Sequence, residues 1–178
     1  VEEDISVVQP IASMPGVVRY PESMLQQVIK DAWQQGIKAV LLFGVSHYKD
    51  DTGSDTWSDN GLMARCIRLA KQAAPQMLVI SDNCFCEYTG HGHCGVVNGD
   101  DVDNDATLHN LQLQALAAAR AGVDMLAPSG MMDGMIAALR AALDQHGFSH
   151  IPVMSYSTKF CSAFYGPFRE AVDSSFKG

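Results

Sequence analysis

Apolar residues along this chain follow two alternating spacings. Between Pro21 and Gln35, Met24, Leu25, Val28, Ile29, Ala32 and Trp33 recur every three or four positions, which stacks them on one face of an α-helix. Pro21 suits the first turn, where a missing N–H costs nothing, and Gly36 suits the stop. Directly afterwards Lys38-Ala-Val-Leu-Leu-Phe-Gly-Val45 is a short continuous apolar run, the pattern of a strand buried on both faces. The same pair of patterns then repeats. A helix uses Leu62, Met63, Cys66, Ile67 and Ala70 and ends before Pro75, and Met77 to Ser81 forms the next strand. A third helix begins near Asp105 or Thr107, either of which can cap its free amides, and runs through Leu108, Leu111, Leu116 and Ala119 to Gly122. A strand over Asp124 to Ala127, a helix over about Met132 to Gln145 and a short strand over Ile151 to Met154 complete the series.

Buried strands alternating with amphipathic helices imply parallel strands joined by right-handed crossovers, hence an α/β fold that is either a barrel or an open doubly wound sheet. Both place ligands beyond the carboxyl ends of the strands. Here that rule points to Ser46 and His47, to Asp82 and the cysteines behind it, to Ser129, and to Ser155 through Lys159. The most chemically capable side chains of the chain therefore coincide with the predicted functional edge.

Composition narrows the class. With 178 residues, 47% hydrophobic and 18% charged, the chain can bury one core, so one domain or part of one is expected. A net charge of -8 and a pI near 5.0 argue against a nucleic-acid surface, which needs clustered Lys and Arg. Acidic residues gather at Asp50, Asp51, Asp55, Asp59 and between Asp100 and Asp105, where a solvated loop face is the commoner explanation than a cation site. No apolar stretch is long enough to span a bilayer and no cationic leader opens the chain, so a soluble, cytoplasmic protein without a membrane partner is expected. Five cysteines, an odd number, read as reduced thiols or metal ligands rather than a disulfide framework. Because the chain opens at Val1, both ends are taken as points where a longer sequence has been cut.

Cys84-Phe-Cys86-Glu-Tyr-Thr-Gly-His91-Gly-His93-Cys94 gathers three thiols and two imidazoles within eleven residues at the end of a predicted strand. Zinc is the natural occupant. Cys84 and Cys86 can both turn toward one ion, and the glycine-bearing loop lets Cys94 fold back as a third ligand, leaving a fourth position for water or substrate as in catalytic sites. The competing reading is buried free thiols beside incidental histidines. Gly90 to Gly95 also satisfies the dinucleotide-binding glycine pattern, but it does not join a strand directly to a helix and an acidic loop follows, so that reading is rejected. Lys159 stands just past a strand among apolar and aromatic residues; it is either an amine that desolvation frees to attack a ketone or an ordinary surface lysine. Arg169 could fork onto a substrate carboxylate or form a structural ion pair. Asp82 could exchange protons or orient a neighbour.

Taken together, Met14-Pro-Gly, Phe43-Gly-Val-Ser-His47, Gly53-Ser-Asp-Thr-Trp57, Asp82 to Gly95, Val102-Asp-Asn-Asp-Ala106, Ala127-Pro-Ser129, Met132-Asp-Gly134, Met154 to Lys159 and Phe164 to Arg169 resemble porphobilinogen synthase, also called 5-aminolevulinate dehydratase. The resemblance covers essentially the whole chain. It implies a TIM (β/α)8 barrel, with residues 1–178 running from the end of the first strand to the loop and helix after the fifth, so that about four of the eight strands are present. It implies a homo-octameric enzyme of tetrapyrrole synthesis that condenses two molecules of 5-aminolevulinate to porphobilinogen. Lys159 matches the first of two active-site lysines, Cys84, Cys86 and Cys94 match ligands of a catalytic Zn2+, Asp82 and Ser129 match groups lining the substrate pocket, and Arg169 matches a carboxylate anchor. In the family the second lysine lies in a Met-Val-Lys-Pro context that does not occur here, so this polypeptide alone is expected to be inactive. An allosteric Mg2+ in the full-length enzyme is left open by the resemblance. The alternative from another class is a non-catalytic zinc-binding or interaction fragment derived from the enzyme. A generic lysine-dependent aldolase-like barrel leaves the three thiols unexplained.

Overall fold

The computed structural model describes residues 1–160 and 162–173. Cys161, one of the five thiols counted above, and residues 174–178 lie outside the described residues. The chain opens with a small antiparallel hairpin, β1 (Gln9–Pro10) and β2 (Val18–Arg19). There follow a 3-10 turn (Glu22–Met24), α1 (Leu25–Gln34), β3 (Ala39–Leu42), a second 3-10 turn (Ser54–Trp57), α2 (Leu62–Ala73) and β4 (Leu78–Asn83). A second hairpin, β5 (Val96–Asn98) and β6 (Asp101–Asp103), leads into α3 (Asn104–Ala121), then β7 (Met125–Pro128), α4 (Met135–Gln145) and α5 (Tyr165–Ala171).

The main sheet is parallel in the order β3-β4-β7. Its register pairs Leu42 with Ser81 and Asp82 with Ala127, which brings the carboxyl ends of the strands level with one another. Single parallel bridges extend it at both sides, Glu2 with Val45 and Leu126 with Val153. The predicted strand over Ile151 to Met154 is thus reduced to one bridge, held by Leu126 N donating to Pro152 O (3.1 Å) and Met154 N donating to Leu126 O (2.8 Å). Pro152 explains the reduction, because proline has no N–H to give a ladder.

Burial follows the helical faces read above. Leu25 and Ile29 of α1, Leu62, Ile67 and Ala70 of α2, Leu111 and Ala115 of α3 and Leu139 and Leu143 of α4 close over Val79 and Leu126 of the sheet. The core is apolar and continuous, and deleting a side chain as central as Leu126 would cost about 2–5 kcal/mol. Helix α3 starts earlier than predicted because Asp103, not Asp105 or Thr107, is the cap: its side chain accepts from Ala106 N at 3.0 Å. Thr107 instead donates its hydroxyl to Asp103 O at 2.6 Å and accepts from Val96 N at 2.9 Å, which ties the hairpin to the helix. Helix α4 starts later than predicted because the preceding turn is clipped to α3, with Asp133 N donating to Asn104 Oδ1 at 2.8 Å. No helix among the described residues is long and apolar enough to cross a membrane.

Candidate active site

The carboxyl end of β4 is polar and buried: Asp82 and Asn83 are 7% and 1% exposed. Successive strand residues face opposite ways, so the two serve different surroundings. Asn83 points to α3, donating Nδ2 to Gln114 Oε1 (3.3 Å), and Gln114 Nε2 in turn donates to Cys84 O (2.9 Å). This clamp fixes the backbone where the cysteine segment begins. Phe85, buried against the edge of Trp57 with ring centres 6.3 Å apart, anchors the next step. Tyr88 N and Thr89 N both donate to Phe85 O (2.8 and 3.0 Å), curling the chain into one tight turn. Thr89 Oγ1 then donates to His93 O (3.0 Å), and Gly92, at φ 74°, supplies the left-handed residue that the reversal requires.

The result returns Cys94 to the start of the segment. Cys84 Sγ lies 2.9 Å from Cys94 Sγ and 3.3 Å from Cys86 Sγ, and the three sulfurs lie within 4.8 Å of one another. Sulfurs arranged tetrahedrally around zinc at about 2.3 Å stand about 3.8 Å apart, so this triangle is slightly tight but of the right size for one soft or borderline cation. Four cysteines, Cys66, Cys84, Cys86 and Cys94, are free thiols, as expected. The two histidines of the segment do not join the cluster. His91 Nε2 meets Asp51 O (3.0 Å), His91 Nδ1 accepts from His93 N (3.0 Å), and their rings tilt together at 5.4 Å.

Proton positions in the cluster are unequal. Hydrogen bonds from Cys84 and Cys86 lower the Cys94 thiol well below its ordinary value. For Cys84 the contact with Cys86 favours the thiolate, but the contact with Cys94 and burial outweigh it and push the thiol up to about 12. Cys86 is raised by its contacts with Cys84 and Cys94, and its Sγ donates to Glu87 Oε2 at 3.0 Å. Glu87, 2% exposed, is itself raised by burial and by Cys84. Asp82 is raised by burial, Cys84 and Glu87, with Ser129 and Lys159 offsetting this only in part. Its Oδ1 is buried without a hydrogen-bond partner. Asp82, Cys84 and Glu87 also lie within 4.8 Å of one another, so the floor of the site gathers acidic groups whose burial and mutual repulsion favour their protonated forms when no cation is bound.

Two basic residues face that floor. Ser129 follows β7, its N donating to Asn83 O (3.3 Å), and its carbonyl accepts a hydrogen bond from Lys159 Nζ. Arg169 is carried by α5. Cys84, Cys86, Cys94, Ser129, Lys159 and Arg169 all line one open cleft of about 1270 Å³ whose remaining wall is largely aromatic, including Phe43, Phe164 and Phe168. Six of the residues matched to site roles thus line one mouth, and Asp82 lies buried beside two of its lining residues, Cys84 and Glu87. Lys159 is exposed.

Ser46 and His47, also placed at this edge by the strand rule, turn away from it. Ser46 Oγ donates to Glu3 Oε2 (2.8 Å) and His47 Nε2 meets Glu2 Oε1 (3.1 Å), so both serve the N-terminal segment. Sequence reasoning passed over Glu87, and it placed Tyr156 at the functional edge within Ser155 through Lys159 without giving it a role. Glu87 was signalled by being the one acid among the thiols; Tyr156, whose ring centre is 5.7 Å from Lys159 Nζ, was signalled by sharing its strand end.

Known proteins resemble this chain over nearly its whole length. The family model for delta-aminolevulinic acid dehydratase matches residues 1–178. The delta-aminolevulinic acid dehydratase of Escherichia coli (strain K12) is 55% identical over 178 residues, which is 100% of this chain and 55% of that protein. That of Ruminiclostridium josui is 49% identical over 170 residues, 96% of this chain and 83% of that protein. A crystal structure of delta-aminolevulinic acid dehydratase (porphobilinogen synthase) from Toxoplasma gondii ME49, in complex with the reaction product porphobilinogen, superposes with a TM-score of 0.94 at 39% identity, covering 99% of this chain and 51% of that one. The chain therefore spans about half the length of the Escherichia coli and Toxoplasma relatives. With matching residues over its whole length and the same fold, this chain belongs to the delta-aminolevulinic acid dehydratase family.

Proposed function

We propose that the protein containing this chain is a porphobilinogen synthase, a lyase that joins two molecules of 5-aminolevulinate into porphobilinogen with loss of two waters. The observation that carries the reading is the convergence of three thiols, the Lys159 amine and the Arg169 guanidinium on one cleft. Each substrate molecule has an amine, a ketone and a carboxylate, and the cleft offers a partner for each. The acidic, sulfur-rich floor suits an ammonium or a metal-bound amine. Lys159 Nζ, when unprotonated, attacks the ketone carbon, and the adduct loses water to leave an imine. Arg169 forks onto the carboxylate tail, and Ser129 and Asp82 orient the amino end. Cys84, Cys86 and Cys94 would hold Zn2+, whose chemistry when bound is to polarise a substrate carbonyl or bind a substrate amine.

In the same reading residues 1–178 form part of a TIM (β/α)8 barrel, from the end of its first strand to the helix after its fifth. The order Glu2, β3, β4, β7, Val153 across the sheet follows chain order without the reversal that an open doubly wound sheet requires. Successive helices α1 to α4 also pack on one another in sequence. A cytoplasmic homo-octamer, with an allosteric Mg2+ as an open question for the full-length chain, completes the proposal.

The test uses the full-length protein. Incubation with 5-aminolevulinate should yield porphobilinogen, and borohydride added during turnover should leave a reduced adduct on the Lys159 peptide by mass spectrometry. Absence of porphobilinogen would overturn the reading, and porphobilinogen formed with Lys159 unmodified would overturn the role given to Lys159.

A further inference from the structure

Helix α5 reaches the rest of the molecule through a small set of contacts, and one residue dominates them. Glu170 Oε1 accepts from Ala12 N at 2.8 Å and Glu170 Oε2 accepts from Ser13 N at 3.0 Å. Both amides belong to the loop between β1 and β2, more than 150 residues away in the chain. The backbone carbonyl of the same residue accepts from Arg19 Nη1 at 2.9 Å, and Arg19 is itself paired to Glu2 at 2.7 Å. Ser13 and Met14 of that loop line the cleft, as does Arg169, the neighbour of Glu170.

We propose that Glu170 is a positioning residue that latches α5 to the β1–β2 loop and thereby sets Arg169 over the cleft. The inference rests on the porphobilinogen synthase reading only for what Arg169 does there. An isolated exposed ion pair contributes little, because two long side chains must be ordered for a screened attraction. This contact differs. Its donors are two consecutive backbone amides already fixed by the loop, with Met14 N donating to Ile11 O at 3.0 Å and Ile11 N to Val17 O at 3.1 Å. Its acceptor is a charged carboxylate using both oxygens, which strengthens each bond. Apolar contacts of the helix and its C-terminal cap limit its sliding: Phe168 packs edge-on against Phe43 at 6.2 Å, and the capping Val172 is buried. Beyond the helix, Lys49 Nζ donates to Asp173 O at 3.0 Å. Apolar contact can tolerate several rotations of a short helix; paired bonds to two successive amides select one. With that rotation selected, the helix carries Arg169 at the cleft.

The experiment compares Glu170→Ala, Glu170→Gln and Glu170→Asp in the full-length protein by hydrogen exchange and steady-state kinetics. Exchange at the amides of Ala12 and Ser13 should accelerate in Glu170→Ala, less in Glu170→Gln, which keeps one acceptor, and least in Glu170→Asp. The KM for 5-aminolevulinate should rise about fivefold or more in Glu170→Ala with kcat nearly unchanged, the pattern of lost uniform binding. A merely structural role would instead lower melting temperature and kcat together and leave KM alone, and that result overturns the proposal. So does unchanged exchange at both amides. If the parent protein forms no porphobilinogen, the function proposed above falls, while the exchange measurement still decides whether Glu170 is the latch.

Discussion

Hydrogen bonds from Cys84 and Cys86 lower the Cys94 thiol, so the metal-free cluster favours the thiolate at Cys94. Replacing Cys94 with Ser removes the sulfur on which ionisation is concentrated. Zinc content per chain, measured after dialysis against a weak chelator, should fall more in Cys94→Ser than in a Ser54→Ala control away from the cluster; equal retention would count against a three-thiol site. Asp50 gives a prediction in acid. Hydrogen bonds from the Ser54 side chain and from the backbone of Ser54 and Thr52 outweigh burial and lower its carboxyl from 3.8 to about 2. A depressed carboxyl stabilises the fold above its unfolded value and loses that contribution as pH falls through the folded one. Urea midpoints of the parent should therefore drop between pH 4 and pH 2 more steeply than those of Asp50→Asn; parallel curves would contradict the assignment. At this scale the sequence was informative wherever chemistry is written in residue type. Three thiols two and eight positions apart mark a cluster that could hold a metal ion. Glu87 and Tyr156 were harder to find, because an acid or a tyrosine gains its meaning from burial and proximity that spacing does not disclose.

Helix α3 shows which features of an element can be read in advance. Its apolar face and its end at Gly122 were legible, while its start was misplaced by one to three residues because Asp103 closes a hairpin strand and caps the helix at once. Local turn chemistry, not helical periodicity, set that boundary. Asp103→Ala should cost about 1 kcal/mol, the usual cost of losing a capping side chain, and appear as a lower melting temperature with zinc affinity little changed. An unchanged melting temperature would show that Thr107 and the β5–β6 hairpin hold the helix start unaided. A second element boundary matters more directly. Gly95 follows the last thiol, and a Cβ there would meet Thr107 Oγ1 at 2.5 Å and Val102 Cγ1 at 2.7 Å. Gly95→Ala should push Cys94 out of the triangle and lower zinc affinity, read by competition with a chromophoric chelator. Affinity equal to that of the parent would mean the segment has slack that the contacts do not suggest. The strand at Ile151 to Met154 was overestimated for a simple reason: apolar character is visible in sequence, but the loss of one ladder donor at Pro152 outweighs it.

Across the whole molecule, alternating strands and helices correctly implied a parallel α/β arrangement. Periodicity alone could not choose between a barrel and an open sheet; the choice rests on neighbour order across the sheet, which only coordinates reveal. The three paired parallel strands among the described residues do not close a barrel. The isolated 178-residue polypeptide is therefore expected to form no porphobilinogen, and steady turnover by it would contradict the barrel reading. The account stands most directly on one metal held by three sulfurs at the mouth that presents Lys159 and Arg169. X-ray absorption at the zinc edge of the zinc-loaded, full-length protein measures that contact. About three sulfurs at about 2.3 Å, falling by one in Cys94→Ser, is the expected result. A shell of nitrogen and oxygen, or a sulfur count indifferent to that substitution, would contradict it.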